Sequence, residues 1–312
     1  MTKTIKIKAA DTLSFKDGKP FLMGEETYAD AVFPPLPSVL YGFLRNLYIT
    51  NQNINLHQDV ITFANLHPVK ESLNLEILKN QLLIGDQLLF PLPEDVKFRK
   101  LSTPIRHECH YTELKKSIFT RNEHKMPEYL LDPADGKPES NANLYLTYSG
   151  MVKYVSGASA SELLHEIIYL PNYITNEYKV GMGREKDTKT AEEGKLYTVK
   201  MIRPETDKGP LSFFIEYKGI PLIENEVGRL GSDGKIGYLE VCQINSDIKA
   251  PVVKSSDNMV KMLLTSPGIF NNGWQPSIIP EKIKIIAFSS GRPLTVGGWD
   301  MAAKRPKPML TA

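Results

Sequence analysis

The chain has 312 residues, 41% hydrophobic and 24% charged, with 38 Lys+Arg against 36 Asp+Glu for a net charge of +2. That composition excludes a disordered chain and a basic tail protein, and bulk charge assigns no partner. The two cysteines, Cys109 and Cys242, are far apart and form no CxxC, the N-terminus has no apolar signal core, and no run is long enough to span a bilayer. These features lead to the expectation of a globular protein in a reducing, cytoplasmic setting, with no disulfide framework and no membrane contact.

Ile5 and Ile7 alternate with Lys6 and Lys8, which predicts a half-buried strand. Leu13–Lys16 and Lys19–Leu22 flank Asp17-Gly18 and predict a tight hairpin. Ser38 caps a predicted helix from about Ser38 to Tyr48, with Val39, Leu40, Phe43, Leu44 and Leu47 at helical spacing. Gly42 inside that helix suggests close packing. Residues 82–92 read as strand, Gly85-Asp86 turn and strand. Between Lys97 and Lys125 lie eight Lys/Arg, three acids and three histidines. That stretch, followed by the loop-like Asp132–Asn143, suggests an insertion or mobile arm. A short helix is expected at Ser161–Glu166, and strands at Leu196–Lys200, Ser212–Tyr217, Tyr238–Cys242, Met262–Thr265 and Ile283–Phe288. The chain is expected to divide into 1–160 and 161–312.

Five blocks carry a family resemblance. They are Asp11–Phe21; Phe33-Pro-Pro-Leu-Pro-Ser-Val-Leu-Tyr-Gly-Phe-Leu-Arg45; Val180-Gly-Met-Gly-Arg184 through Tyr197; Leu263-Leu-Thr-Ser-Pro-Gly268 through Pro276; and Ser290-Gly-Arg292 through Gly298-Trp299-Asp300 to Pro308. In order and spacing they resemble the third subunit of the type III-B CRISPR effector, the Cmr complex, within the RAMP superfamily. The resemblance implies an α+β fold of two ferredoxin-like (RRM-like) domains with β-rich insertions. It also implies a non-catalytic subunit without a cofactor, which holds the 5′ handle of the CRISPR RNA. The implied protein partners are the large polymerase/cyclase-type subunit and a neighbouring backbone RAMP subunit. Three features depart from the family pattern. Val227–Gly234 stands where the family shows Leu-Gly-Gly-Glu before a basic residue. The basic stretch 97–125 has no counterpart. The sequence stops at Ala312, short of the family's last strand, so the second domain is expected to lack an edge strand.

An RNA-holding subunit needs cations for phosphates, backbone that can approach closely, and flat faces for splayed bases. Lys179, Gly181, Gly183, Arg184, Lys186 and Lys189 combine cations with glycine in one segment. The alternative is a solvated turn that needs glycine only for its φ angle. From Lys282 to Ala312 there are six Lys/Arg and one acid. There Arg292, Gly298, Trp299, Arg305 and Lys307 suit backbone tracking and stacking, unless Trp299 packs in the core and the cations are merely solvated. Arg45 on the first helix can grip a phosphate or pair with a carboxylate. Trp274 can stack on a base or fill the core. Lys16 and Lys19 can line the same groove or simply protect a hairpin edge. Phe213 and Phe214 fall on opposite faces of one strand, so one of them is expected to face a partner, although no RNP-like aromatic signature is present.

His107-Glu-Cys-His110 carries metal-ligand types, but neighbours in a strand point to opposite faces and no second cluster exists, so no metal is expected. The six histidines stand in no catalytic motif, and GxSxG and P-loop patterns are absent. Two rival readings remain: a metal-independent endoribonuclease processing CRISPR RNA, with a His as base, and a purely structural subunit contacting protein only.

Overall fold

The computed structural model describes residues 2–16, 28–51, 74–102, 105–116, 129–132, 139–221, 224–247, 259–270, 275–276, 278–280, 282–292, 294–297, 299–300, 305–306 and 310–311. In chain order the strands are β1 (Lys3–Ala9), β2 (Tyr28–Ala29), β3 (Glu76–Ile84), β4 (Gln87–Pro91), β5 (Val96–Ser102), β6 (Ile105–Tyr111), β7 (Glu113–Lys116), β8 (Tyr129–Asp132), β9 (Leu144–Thr147) and β10 (Ile167–Tyr169). They continue as β11 (Thr175–Arg184), β12 (Ala191–Arg203), β13 (Glu205–Thr206), β14 (Gly209–Lys218), β15 (Val227–Arg229) and β16 (Ile236–Val241). The short strands β17 (Thr295–Val296), β18 (Trp299–Asp300), β19 (Arg305–Pro306) and β20 (Leu310–Thr311) follow. Among the described residues the α-helices are α1 (Pro37–Asn51), α2 (Tyr148–Val155) and α3 (Ala160–Leu163). The protein is therefore α+β and strand-rich, with few helices.

Two compact units share the chain, each assembled from separate stretches. Unit 1 comprises Met1–Leu88, Pro171–Asn245 and Thr295–Thr311. Its main sheet runs β3-β14-β1-β16-β15, antiparallel throughout. The period-two pattern of β1 sets its register: Ile5 lies opposite Ile215 and Ile7 opposite Phe213, and both isoleucines are fully buried. On the opposite face Lys6 pairs with Asp86 and Lys8 with Glu240, each at 2.8 Å.

Helix α1 covers the isoleucine face. Leu40, Phe43, Leu44 and Leu47 are buried at the expected helical spacing, each contributing about 1.5–3 kcal/mol by leaving water. Leu47 and Phe43 press on β15 at Gly228, where a Cβ would lie 2.8 Å from Leu47 Cδ2. Gly42, in contrast, faces open space, so the close packing expected there is absent. Phe213 and Phe214 are both buried, at 1% and 0% exposure. Both sheet faces are covered at that point, and neither ring is available to a partner.

Unit 2 comprises Leu89–Leu170, Ser246–Leu294 and Ala312. Within it β4 pairs with β9, and β9 with β10. The Thr147 side chain caps α2, accepting the Gly150 N–H at 3.0 Å. Helix α3 starts at the expected place, with Glu162 accepting the Ser159 N–H at 2.7 Å. Much of the basic stretch forms strands rather than a loose arm: β5 and β6 make one ladder, β7 and β8 another. Met262–Thr265 and Ile283–Phe288, expected as strands, form no ladder among the described residues, although Ile286 O accepts the Tyr129 N–H of β8 at 2.9 Å. The predicted hairpin turn at Asp17-Gly18 with Lys19, and the loop interior 133–138, lie outside the described residues. No described helix is long and apolar enough to cross a membrane.

Candidate functional site

Three lysines from distant parts of unit 1 line one cavity of about 650 Å³: Lys16, Lys179 and Lys235, together with Asp233, Gly181 and the ring of Tyr197. Long-range backbone bonds bring them together. Leu13 and Ile202 exchange hydrogen bonds at 2.7 and 2.8 Å, laying the segment before Lys16 alongside β12. Ser232 then donates its N–H to Ser14 O at 2.8 Å, which sets Lys235 next to that segment. Gly231 makes this approach possible. Its φ is +83°, and a Cβ there would lie 2.5 Å from Ser14 O.

The antiparallel hairpin β11–β12 supplies the remaining wall. Its register places Lys179 opposite Val199 and Gly181 opposite Tyr197. Gly181 is flat because Tyr197 lies on it: a Cβ would sit 2.3 Å from Tyr197 Cζ. Such covering of a strand glycine by a cross-strand aromatic ring stabilises the ladder and fixes the ring's plane. Gly183 is covered by Lys195: a Cβ at Gly183 would lie 2.7 Å from Lys195 Cβ. The segment Lys179–Lys189 is therefore strand and turn rather than a glycine-rich loop. Its glycines admit facing side chains, and the space above them is already filled.

The lysines differ in their surroundings. Lys235 Nζ donates to Thr12 Oγ1 at 2.7 Å and lies 3.8 Å from Asp11. Asp11 is also bound to Arg203 at 2.8 Å, and the Thr12 backbone N–H with this guanidinium holds its carboxyl below the usual range. Lys16 has only a loose pairing with Asp233, at 3.9 Å. Burial, and then the ammonium of Lys179 alongside, push the Lys235 pKa down. Two cations held together against their repulsion are a site prepared for an anion. A phosphate bound there would offset that repulsion, beside the half-buried Tyr197 ring, which lies on Gly181 and packs against Ala29, Val199 and Met201.

The other expected residues lie elsewhere. Arg184 ends β11, about 17 Å along the strand from Lys179. Lys186 and Lys189 sit in the exposed hairpin turn, with Glu185 and Asp187 interleaved. Arg45 is half-buried on α1, and its Nε has no hydrogen-bond partner among the described residues. Arg292 is exposed in unit 2. Trp299 and Arg305 lie on the paired strands β18 and β19. Trp274, Gly298 and Lys307 lie outside the described residues. Lys235 and Tyr197 were not singled out by the sequence; the only local signal was the glycine-bracketed loop Gly231–Gly234 just before Lys235.

The hairpin has a second surface. Tyr178, Val180 and Met182 alternate along β11 and are exposed, as are Leu196 opposite Met182 and Tyr28 on β2. Elsewhere, burial raises both thiols, Cys109 and Cys242, to about 11, so neither is an activated nucleophile. His107 stacks on Phe98 with ring centroids 5.0 Å apart. Among the described residues no group of three metal-ligating side chains converges.

The family model described as CRISPR-associated protein (Cas_Cmr3) matches residues 5–312. No curated protein matches the chain. Among solved structures, a chain from a cryo-EM structure of the type III-B Cmr-beta bound to cognate target RNA is 16% identical, with a TM-score of 0.52. That match covers 99% of this chain and 83% of the other. A chain from the type III-B Cmr-beta bound to cognate target RNA and AMPPnP, state 1, is 16% identical with a TM-score of 0.43, covering 78% of this chain. The match spans 64% of that chain, less than two thirds of its length.

Proposed function

The chain belongs to the CRISPR-associated Cas_Cmr3 family, subunits of the type III-B Cmr complex, and from that premise we propose a non-catalytic subunit that holds the 5′ handle of the CRISPR RNA. In this reading the subunit also docks the large polymerase/cyclase-type subunit and a neighbouring backbone RAMP subunit, in the cytoplasm. We read the two units as elaborated ferredoxin-like (RRM-like) domains; for unit 1, the support is one helix, α1, packed on an antiparallel sheet.

The observation that carries RNA binding is the cavity of Lys16, Lys179 and Lys235 beside Tyr197. Its cations converge from three segments, and the Tyr197 ring lines the same cavity. The exposed apolar face of Tyr178, Val180, Met182 and Leu196 supports protein docking, because burying it removes apolar surface from water.

The test is handle discrimination. The chain is co-expressed with the large subunit, and binding to RNA with the native 5′ handle is compared with binding to a scrambled handle across a salt series. A preference for the native handle that weakens in Lys179→Glu supports the reading. Equal binding with a steep salt slope reduces the site to phosphate tracking. A discrete cut of repeat RNA in EDTA, lost on replacing one histidine, would favour the endoribonuclease instead.

A further inference from the structure

Unit 2 contains a second cation site, formed by different chemistry. Tyr111 on β6, Tyr154 on α2 and Asp95 just before β5 converge on the side chain of Lys261. We propose that Asp95, Tyr111 and Tyr154 form a binding box for an alkylammonium group, and that Lys261 is the tethered ligand it holds.

The box is complete without its ligand. Tyr154 is 7% exposed, and its hydroxyl donates to Asp95 Oδ1 at 2.8 Å. Tyr111 is fixed by donating to Ala158 O at 2.8 Å. The Asp95 carbonyl accepts the Thr112 N–H at 2.8 Å, which ties the acid to the end of β6. The two ring centroids stand 6.3 Å apart with their planes tilted by 39°. Asp95 Oδ1 is engaged by Tyr154, so Oδ2 is turned to a cation. Lys261 Nζ meets it at 2.5 Å, and lies 5.0 Å from the Tyr154 ring centroid and 5.7 Å from that of Tyr111.

Both ring distances are within the range in which a ring quadrupole attracts a cation. An ordinary surface ion pair has neither two aromatic walls nor an acid pre-oriented by a buried hydroxyl. The exposures are also unequal: the Asp95 side chain is 14% exposed and that of Lys261 62%. The receptor is therefore fixed and the occupant peripheral. Lys261 belongs to the described stretch 259–270, which forms no ladder strand and exposes Met259, Val260, Met262 and Leu264. Within unit 2 the box holds that stretch through the Lys261 side chain. The latch is independent of the RNA reading.

Two experiments on the full chain test it. Hydrogen exchange is compared in wild type, Lys261→Gln and Lys261→Arg. Loss of the charge raises exchange across 259–270 by about threefold or more, while β5, β6 and β9 keep their protection and the arginine variant stays near wild type. Unchanged exchange in Lys261→Gln overturns the latch.

The second experiment uses Lys261→Ala and methylammonium chloride as the probe, with sodium chloride at equal ionic strength as the control. Saturable shifts of the Tyr111 and Tyr154 ring resonances are expected. They should be absent in wild type, where the box is filled, and in Lys261→Ala with Asp95→Asn. No saturation, or the same response in wild type, overturns the ammonium site. Asp95→Asn keeps the side-chain shape, so its result does not depend on a variant that fails to fold.

Discussion

At the base of the β11–β12 hairpin, Lys16, Lys179 and Lys235 share a concave wall with the Tyr197 ring. At its tip, Arg184, Lys186 and Lys189 stand exposed among Glu185 and Asp187. The two regions contain the same number of cations but differ in context. At the tip each cation is exposed, and Arg184 and Lys186 have an acid beside them in sequence. At the base the lysines come from three separate segments, and one of them is desolvated next to another. Water and salt screen the tip, and at the base they act less on Lys235, the one ammonium shielded there, while Lys16 and Lys179 are exposed. Affinity for a phosphate backbone should therefore concentrate at the base.

The largest expected effect comes from reversing the base. Lys179→Glu with Lys235→Glu should weaken handle RNA binding by about 100-fold at moderate salt, and lower the salt slope by about two. Fluorescence anisotropy across a salt series measures both. Gly181→Val should follow, since its side chain occupies the space of the Tyr197 ring. Displacing the ring should cost about 1–3 kcal/mol in chemical denaturation and loosen the groove. Gly42→Ala provides the opposite control. It adds a Cβ in open space on α1 and should stabilise by up to about 1 kcal/mol.

At the tip, Arg184→Glu with Lys186→Glu should change affinity by no more than about threefold. Equal losses at base and tip would erase the distinction between them.

The smallest effect is a titration. The Lys235 pKa is lowered in the folded protein by burial and by Lys179. The unfolded chain then holds that proton more tightly, so stability rises as pH climbs through the folded pKa toward the ordinary lysine range. Lys179→Met should move the Lys235 pKa upward and narrow that window, as read by NMR of the lysine side chains.

How much of this was legible in the sequence follows from the range of the interactions. Local periodicity located β1, α1, the Gly85 turn, β14 and β16, because Ile5/Ile7 and Leu40/Phe43/Leu44/Leu47 carry their own pattern. It missed α2, a short helix whose main signal is the Thr147 cap. It could not establish what covers Phe214, because the second face of a sheet depends on other segments. The same holds at the site. Lys179 and Gly181 stood out by their clustering, whereas Lys235 and Tyr197 acquire their role only through the Leu13–Ile202 and Ser14–Ser232 bonds and the β11–β12 register. The glycines stand out in the sequence, but no local signal shows that the group lying on Gly181 is a tyrosine from the facing strand.

Crosslinking tests the central claim most directly. The effector complex is assembled with CRISPR RNA carrying 4-thiouridine at successive handle positions, irradiated, and the crosslinked peptides of this chain are identified by mass spectrometry. The account predicts handle crosslinks to peptides containing Tyr197, Lys179 or Lys235. Crosslinks confined to the hairpin tip, or none to this chain, would contradict it.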